Sequence, residues 1–185
     1  KQNQLLKDYC ESYYPTAKND LANVFLERCL ELAKAAGVVQ IVMPQNWLFL
    51  SSYKKQRESL LKRVCWNMLA RLGAGAFETI SGEVVQAILI TQTKANPNED
   101  MLLQGIDASL PRTAQEKADL LCMGEIKSVS QKGQLGNPDA RIALDAMSDK
   151  YPLLETMAES GGGCSSFDSP RFISQFWEYS HVKKS

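Results

Sequence analysis

The sequence predicts an α/β fold: a mixed sheet with flanking helices over residues 1–93, followed by a mainly helical region over 94–185. Three observations carry that expectation. Between Asp20 and Thr91 the hydrophobic spacing runs helix, strand, helix, strand, strand, the pattern of helices laid on a sheet. Val38-Val39-Gln40-Ile41-Val42-Met43 is a nearly continuous apolar run, as suits a strand covered on both faces in a parallel sheet. The link between the last two strands is far too short for a covered crossover, so that pair is expected to be antiparallel.

The elements follow in order. Residues 3–12 put Leu5, Leu6 and Tyr9 on one side of a short helix, which Tyr13-Tyr14-Pro15-Thr16 breaks. Asn19-Asp20 supplies the N-cap of a second helix, and Leu21, Phe25, Cys29, Leu32 and Ala36 follow as one apolar stripe up to the stop at Gly37. Ser51 or Ser52 caps the next helix; its Lys54, Lys55, Arg57, Lys62 and Arg63 read as a mostly solvated face, while Tyr53, Leu60, Leu61 and Val64 face inward. Met68–Leu72 and Val84–Thr91 read as strands. Lys94–Asp100 is a polar, proline-containing linker. Behind it Thr113 with Glu116 forms a capping box that opens a helix to Met123, and Glu125–Ser130 is a short strand. Asp139–Met147 and Leu153–Glu159 look helical. Gly161-Gly162-Gly163 breaks the chain, and Ser169-Pro170 starts a last helix with Phe172, Ile173, Phe176 and Trp177 on its apolar side.

The 185 residues suffice for one domain with a sizeable core, or one and a half small ones. Lys+Arg and Asp+Glu each total 21, so the chain lacks the basic excess that many nucleic-acid binders show, and any DNA contact must come from a local patch. The longest apolar runs, such as Val38–Pro44, are too short to span a bilayer, and the polar start lacks a signal-peptide core. Cys10, Cys29, Cys65, Cys122 and Cys164 are scattered without CxxC spacing, which reads as reduced thiols in a cytoplasmic protein. His181 is the single histidine, and with no Cys/His cluster no metal site is expected. No Gly-x-Ser-x-Gly elbow marks a hydrolase.

Helix Asp20–Ala36, the strand with its turn Met43-Pro44-Gln45-Asn46-Trp47-Leu48, and the loop Leu72-Gly73-Ala74-Gly75-Ala76-Phe77 stand in a definite order. That order resembles the C-terminal half of the catalytic domain of adenine-specific (N-6) DNA methyltransferases. The phrases Asn19-Asp20-Leu21-Ala22, Ile41-Val42-Met43-Pro44-Gln45-Asn46-Trp47, Tyr53-Lys54-Lys55-Gln56-Arg57 and Gly73-Ala74-Gly75-Ala76-Phe77-Glu78 are similar to the large methyltransferase of bacteriophage-exclusion and phage-growth-limitation systems. Ser166-Phe167-Asp168-Ser169-Pro170-Arg171-Phe172, followed by Phe176-Trp177-Glu178, is similar to the same group.

The resemblance implies a partial Rossmann-like methyltransferase fold and transfer of a methyl group from S-adenosylmethionine to the adenine amino group in the intact enzyme. Adenine inside a duplex cannot present its amine, so such enzymes flip it into a pocket. Phe77 is then the aromatic face on which the flipped base stacks, and Gln45, Asn46 and Trp47 lie beside the pocket, beyond the carboxyl end of a strand. Core packing is the competing role for Phe77 and Trp47. Lys54, Lys55 and Arg57 are the candidate DNA-phosphate contacts, against a solvated helical face as the plainer role.

The chain shows no Gly-rich donor loop followed by an acidic residue, and no Asn-Pro-Pro-Tyr loop to grip the amine. No catalytic residue is therefore assigned, no cofactor is expected to bind this chain, and no methyl transfer is expected from it alone. With no initiating Met, the chain is expected to be a portion of a larger methyltransferase. Its strand Val38–Met43 would then leave an apolar edge for the rest of that enzyme, or for a second copy, to cover. The alternative is a non-catalytic DNA-binding or subunit-docking module.

Overall fold

The computed structural model describes residues 3–77, 85–145 and 157–158. The helices and strands among them all lie in one compact unit, Lys1–Met147, and Ser148–Ser185 clusters separately. In chain order they are α1 (Gln4–Tyr13), α2 (Leu21–Leu32), β1 (Val38–Pro44), α3 (Lys54–Arg63), β2 (Cys65–Gly73), β3 (Ala87–Thr93), β4 (Leu102–Asp107), α4 (Ala114–Met123) and β5 (Lys127–Ser130). Two short 3-10 turns, Gln45–Leu48 and Ser51–Tyr53, join β1 to α3.

The five strands form one mixed sheet in the order β1-β3-β2-β4-β5. β3 runs antiparallel between β1 and β2, as the short link between β2 and β3 demands. β4 lies parallel to β2, and β5 is antiparallel to β4. The strands β1, β2 and β4 therefore run the same way and end at the same side of the sheet. The sheet does not stop at Thr93. Residues 94–100 are a connection within it, and the region beyond contributes two strands to the same core.

Helices α2 and α3 cover one face through Leu26, Leu30, Leu60 and Leu61. These pack on Val39, Met43, Trp66, Leu69, Ile88, Ile90, Leu103 and Val129. Trp47 and Trp66, both fully buried, meet at a ring-centroid distance of 5.5 Å in that core. On the other face α4 packs Leu120 and Leu121 near Leu72, Ala87 and Ala108. Its capping box is formed as expected: the Thr113 hydroxyl accepts from the Glu116 amide, and the Glu116 carboxylate accepts from the Thr113 amide.

Several expectations are corrected. The stripe Phe25–Leu32 is not the buried side of α2, for Phe25 is 60% and Leu32 70% exposed. The buried side carries Asn23, Val24, Leu26 and Leu30, because the Asn23 amide donates to the Gln56 side chain of α3 at 2.6 Å and so satisfies a polar group in the core. β1 is covered on one face only: Val39 and Met43 are buried, while Val38 (64%) and Val42 (52%) are exposed. It is an edge strand whose described partner is β3 alone. Asp139–Met147 is not a helix in its described part. A 3-10 turn spans Pro138–Ala140, and left-handed backbone at Asp139 (φ 54°) and Ala140 (φ 50°) ends any helical path. The helices expected over Leu153–Glu159 and beyond Ser169 fall outside the described residues, apart from Met157 and Ala158.

Candidate functional site

Pro44, Ala87 and Gly73 stand in one row across β1, β3 and β2. That row brings two connections to the same end of the sheet: the turn that follows β1, and the glycine loop that follows β2. Ligands of open α/β sheets bind beyond the carboxyl ends of parallel-running strands, which is this end. A cleft of about 270 Å³ opens there, lined by Asp20, Pro44, Gln45, Asn46, Phe49, Val85 and Gln86.

Gln45 is 5% exposed. Its backbone amide donates to the Gln86 carbonyl at 2.8 Å, and its side-chain Nε2 donates to Gln86 Oε1. Gln45 Oε1 is buried without a hydrogen-bond partner among the described residues, so a buried acceptor at the cleft is left open to a donor. Asn46 is exposed beside it. Asp20 closes the far side; its Oδ1 accepts the Ala22 amide at 2.9 Å as the cap of α2. Burial, and then the neighbouring Asp20 carboxylate, raise the Tyr53 hydroxyl above its ordinary pKa. Asp20 is the one charged residue in the lining among the described residues, and its carboxylate favours a neutral, hydrogen-bonding ligand over an anion.

Phe77 is 43% exposed, in the loop that leaves β2, and is not sealed in the core. Trp47 is 0% exposed and packed against Trp66 with the two rings tilted, so it supports the turn from beneath and offers no face to a ligand. Arg57 corrects the reading of a phosphate contact more sharply. It is also 0% exposed, and its guanidinium donates to the carbonyls of Trp47, Leu50, Asp139 and Ala140. Lys54 is on the surface and pairs with Asp139 at 3.6 Å; Lys55 is exposed. Phe49, Val85 and Gln86 line the cleft although nothing in their local sequence marks them. The antiparallel register of β1 with β3 brings Gln86 beside Gln45.

The glycine loop is held by close packing. Gly73 (φ 65°) and Gly75 (φ 70°) are needed for close packing: a Cβ on Gly75 would lie 2.6 Å from the Arg112 carbonyl oxygen, and one on Gly73 2.9 Å from Ser109 Cβ. The groove beside them is lined, among the described residues, by Ala74, Gly75, Ser109, Leu110, Pro111 and Arg112. Among the described residues no helix is long and apolar enough to cross a membrane.

Comparison with known proteins agrees with the resemblance read from the sequence. Residues 1–77 match the family of the Eco57I restriction-modification methylase. The chain is 43% identical over 86 residues to the adenine-specific methyltransferase PglX of Lacticaseibacillus casei (strain Zhang). It is 42% identical over 81 residues to the adenine-specific methyltransferase BrxX of Escherichia coli O9:H4 (strain HS). These matches take in 46% and 44% of this chain but 7% of each relative, so the chain spans a small part of the proteins it matches. Two solved structures share the fold at 14% identity. One is a nuclease-deletion mutant of the Type ISP restriction-modification enzyme LlaGI in complex with a DNA substrate mimic (TM-score 0.52, 76% of this chain, 15% of that one). The other comes from a type I restriction-modification system (TM-score 0.51, 72% and 34%). The mixed sheet with its flanking helices is thus a partial Rossmann-like methyltransferase fold.

Proposed function

We propose that this chain is part of a DNA adenine methyltransferase of a restriction-modification or phage-defence system, and that it forms the side of the active cleft that receives the target base. One observation carries the reading. The row Pro44–Ala87–Gly73 brings Gln45 and Asn46 to the same end of the sheet as the loop bearing the exposed Phe77. A flipped adenine offers a π-face and an exocyclic amine; Phe77 supplies the stacking face, while Gln45 and Asn46 supply side-chain amides within the pocket. S-adenosylmethionine supplies the methyl group and is held by a part of the enzyme outside this chain. Lys54 and Lys55 are the remaining candidate phosphate contacts; they set affinity without reading sequence.

The test is Phe77→Ala in the intact methyltransferase, assayed on DNA and titrated with S-adenosylmethionine. Base–aromatic stacking is worth roughly 1–3 kcal/mol, so methylation falls by roughly five- to 150-fold while donor affinity stays within about twofold. Equal loss of both would make Phe77 a folding residue and defeat the reading.

The exposed edge of β1, with Val38 and Val42 beside it, supports a second reading in which the unit docks through that edge. The two readings are compatible if the neighbour is the rest of the enzyme. They separate if a second copy covers the edge and no methylation accompanies it.

A further inference from the structure

We propose that Arg57 is the positioning residue of the cleft: it locks the turn that carries Gln45, Asn46 and Phe49 onto the distant turn at 138–142. Nη1 donates to the Leu50 carbonyl at 2.8 Å and to the Trp47 carbonyl. Nε donates to the Ala140 carbonyl at 3.1 Å and Nη2 to the Asp139 carbonyl at 2.8 Å, across sequence separations of 83 and 82 residues. The Ile142 amide completes the seam by donating to the Leu48 carbonyl at 3.0 Å.

The chemistry explains why an arginine stands here. The turn 45–50 and the turn 138–140 are too short to satisfy their own carbonyls by helical bonding, yet both are packed inward. A guanidinium carries five N–H donors in a rigid planar fork, and four of these bonds reach two segments at once. A lysine ammonium is a point donor on a flexible stem and cannot span the same four oxygens. Burial disfavours the charge, and the Asp139 carboxylate nearby offsets part of that cost. Salt bridges from Lys54 and Arg141 to the same Asp139 hold the second turn from outside. Trp47, whose carbonyl Arg57 binds, rests on Trp66 of β2, so the cleft floor is fixed to the sheet on one side and to 138–142 on the other.

Two variants of the 185-residue chain, Arg57→Lys and Arg57→Met, test this by amide hydrogen exchange. The expected result in Arg57→Lys is that Phe49, Leu50, Arg141 and Ile142 exchange together about tenfold or more faster, while β3 amides such as Leu89 keep their protection. Unchanged exchange at the two turns would overturn the proposal. So would an equal rise throughout β2 and β3, or failure of both variants to fold, since Arg57 would then serve the whole core and not the seam.

The consequence for catalysis rests on the reading of the cleft given above and is measured in the intact methyltransferase. Arg57→Lys lowers kcat about tenfold or more, with KM for DNA and its salt dependence unchanged. A fall in the salt slope of DNA binding by about one, with kcat intact, would return Arg57 to phosphate contact and overturn the proposal. If the wild-type enzyme does not methylate adenine, the reading of the cleft fails, whereas the exchange result on the seam still decides the proposal.

Discussion

Trp47 and Phe77 make the division between scaffold and site measurable. Both are aromatic residues in the loops at one end of the sheet, and the family resemblance places both beside a ligand while the residues themselves leave core packing open for each. The structure separates them. Trp47 is 0% exposed, packed at 5.5 Å on Trp66 and surrounded by the main core. Trp47→Ala removes the largest side chain at a fully enclosed position, and such truncations cost about 3–5 kcal/mol, of which an aromatic pair contributes about 0.5–1.5. Its indole N–H has no partner among the described residues, so no hydrogen bond is lost with it. Phe77 is 43% exposed, and its truncation removes only part of the roughly 1.5–3 kcal/mol that full burial of a large apolar side chain gives, about 1 kcal/mol. The assay is urea denaturation of the 185-residue chain followed by tryptophan fluorescence, with circular dichroism as the second probe. Trp47→Ala should lower the unfolding free energy by several times as much as Phe77→Ala. Equal destabilisation by the two would refute the reasoning, because Phe77 would then be a core residue and not a surface for a base.

Other outcomes follow from the packing. Gly105→Ala should destabilise by about 1–3 kcal/mol, since its Cβ would fall 2.1 Å from Leu144 Cδ2; adding Leu144→Ala should recover part of that, as denaturation midpoints would show. Hydrogen bonds from Arg28 and Tyr14 hold the Glu31 carboxyl below its ordinary pKa. A depressed carboxyl contributes stability above its unfolded pKa and loses it as pH falls through the lower folded value, so Glu31→Gln should lower stability slightly at neutral pH and flatten the acid limb of a stability–pH curve, the two proteins converging in strong acid. Val42→Lys places a charge on the exposed face of the edge strand, and sedimentation should show less self-association with an unchanged urea midpoint.

Local signals were legible in the sequence because their physics is local. The Asp20 cap, the Thr113–Glu116 box and the apolar run ending at Pro44 each act within a few residues, and each stands where the spacing puts it. The antiparallel pairing of β2 with β3 followed from the length of the link between them. What was not legible depends on distant partners. The inward face of α2 includes Asn23, whose burial makes sense only beside Gln56, 33 residues on. Arg57 sits among lysines and reads as solvated until carbonyls more than 80 residues away claim its donors. β4 is short, is broken by Gly105 and follows a proline-containing segment, so its parallel pairing with β2 leaves no local trace. For the same reason Gln86 gave no sign of belonging to the cleft: only the register Pro44↔Ala87 sets it beside Gln45.

The division of labour, with the base-facing wall in this chain and the reagent held elsewhere, is tested most directly by titrating S-adenosylmethionine into the 185-residue chain in a calorimeter. No saturable heat at micromolar protein is the predicted result. Saturable binding with a Kd in the micromolar range would contradict it, by placing a donor site within this chain.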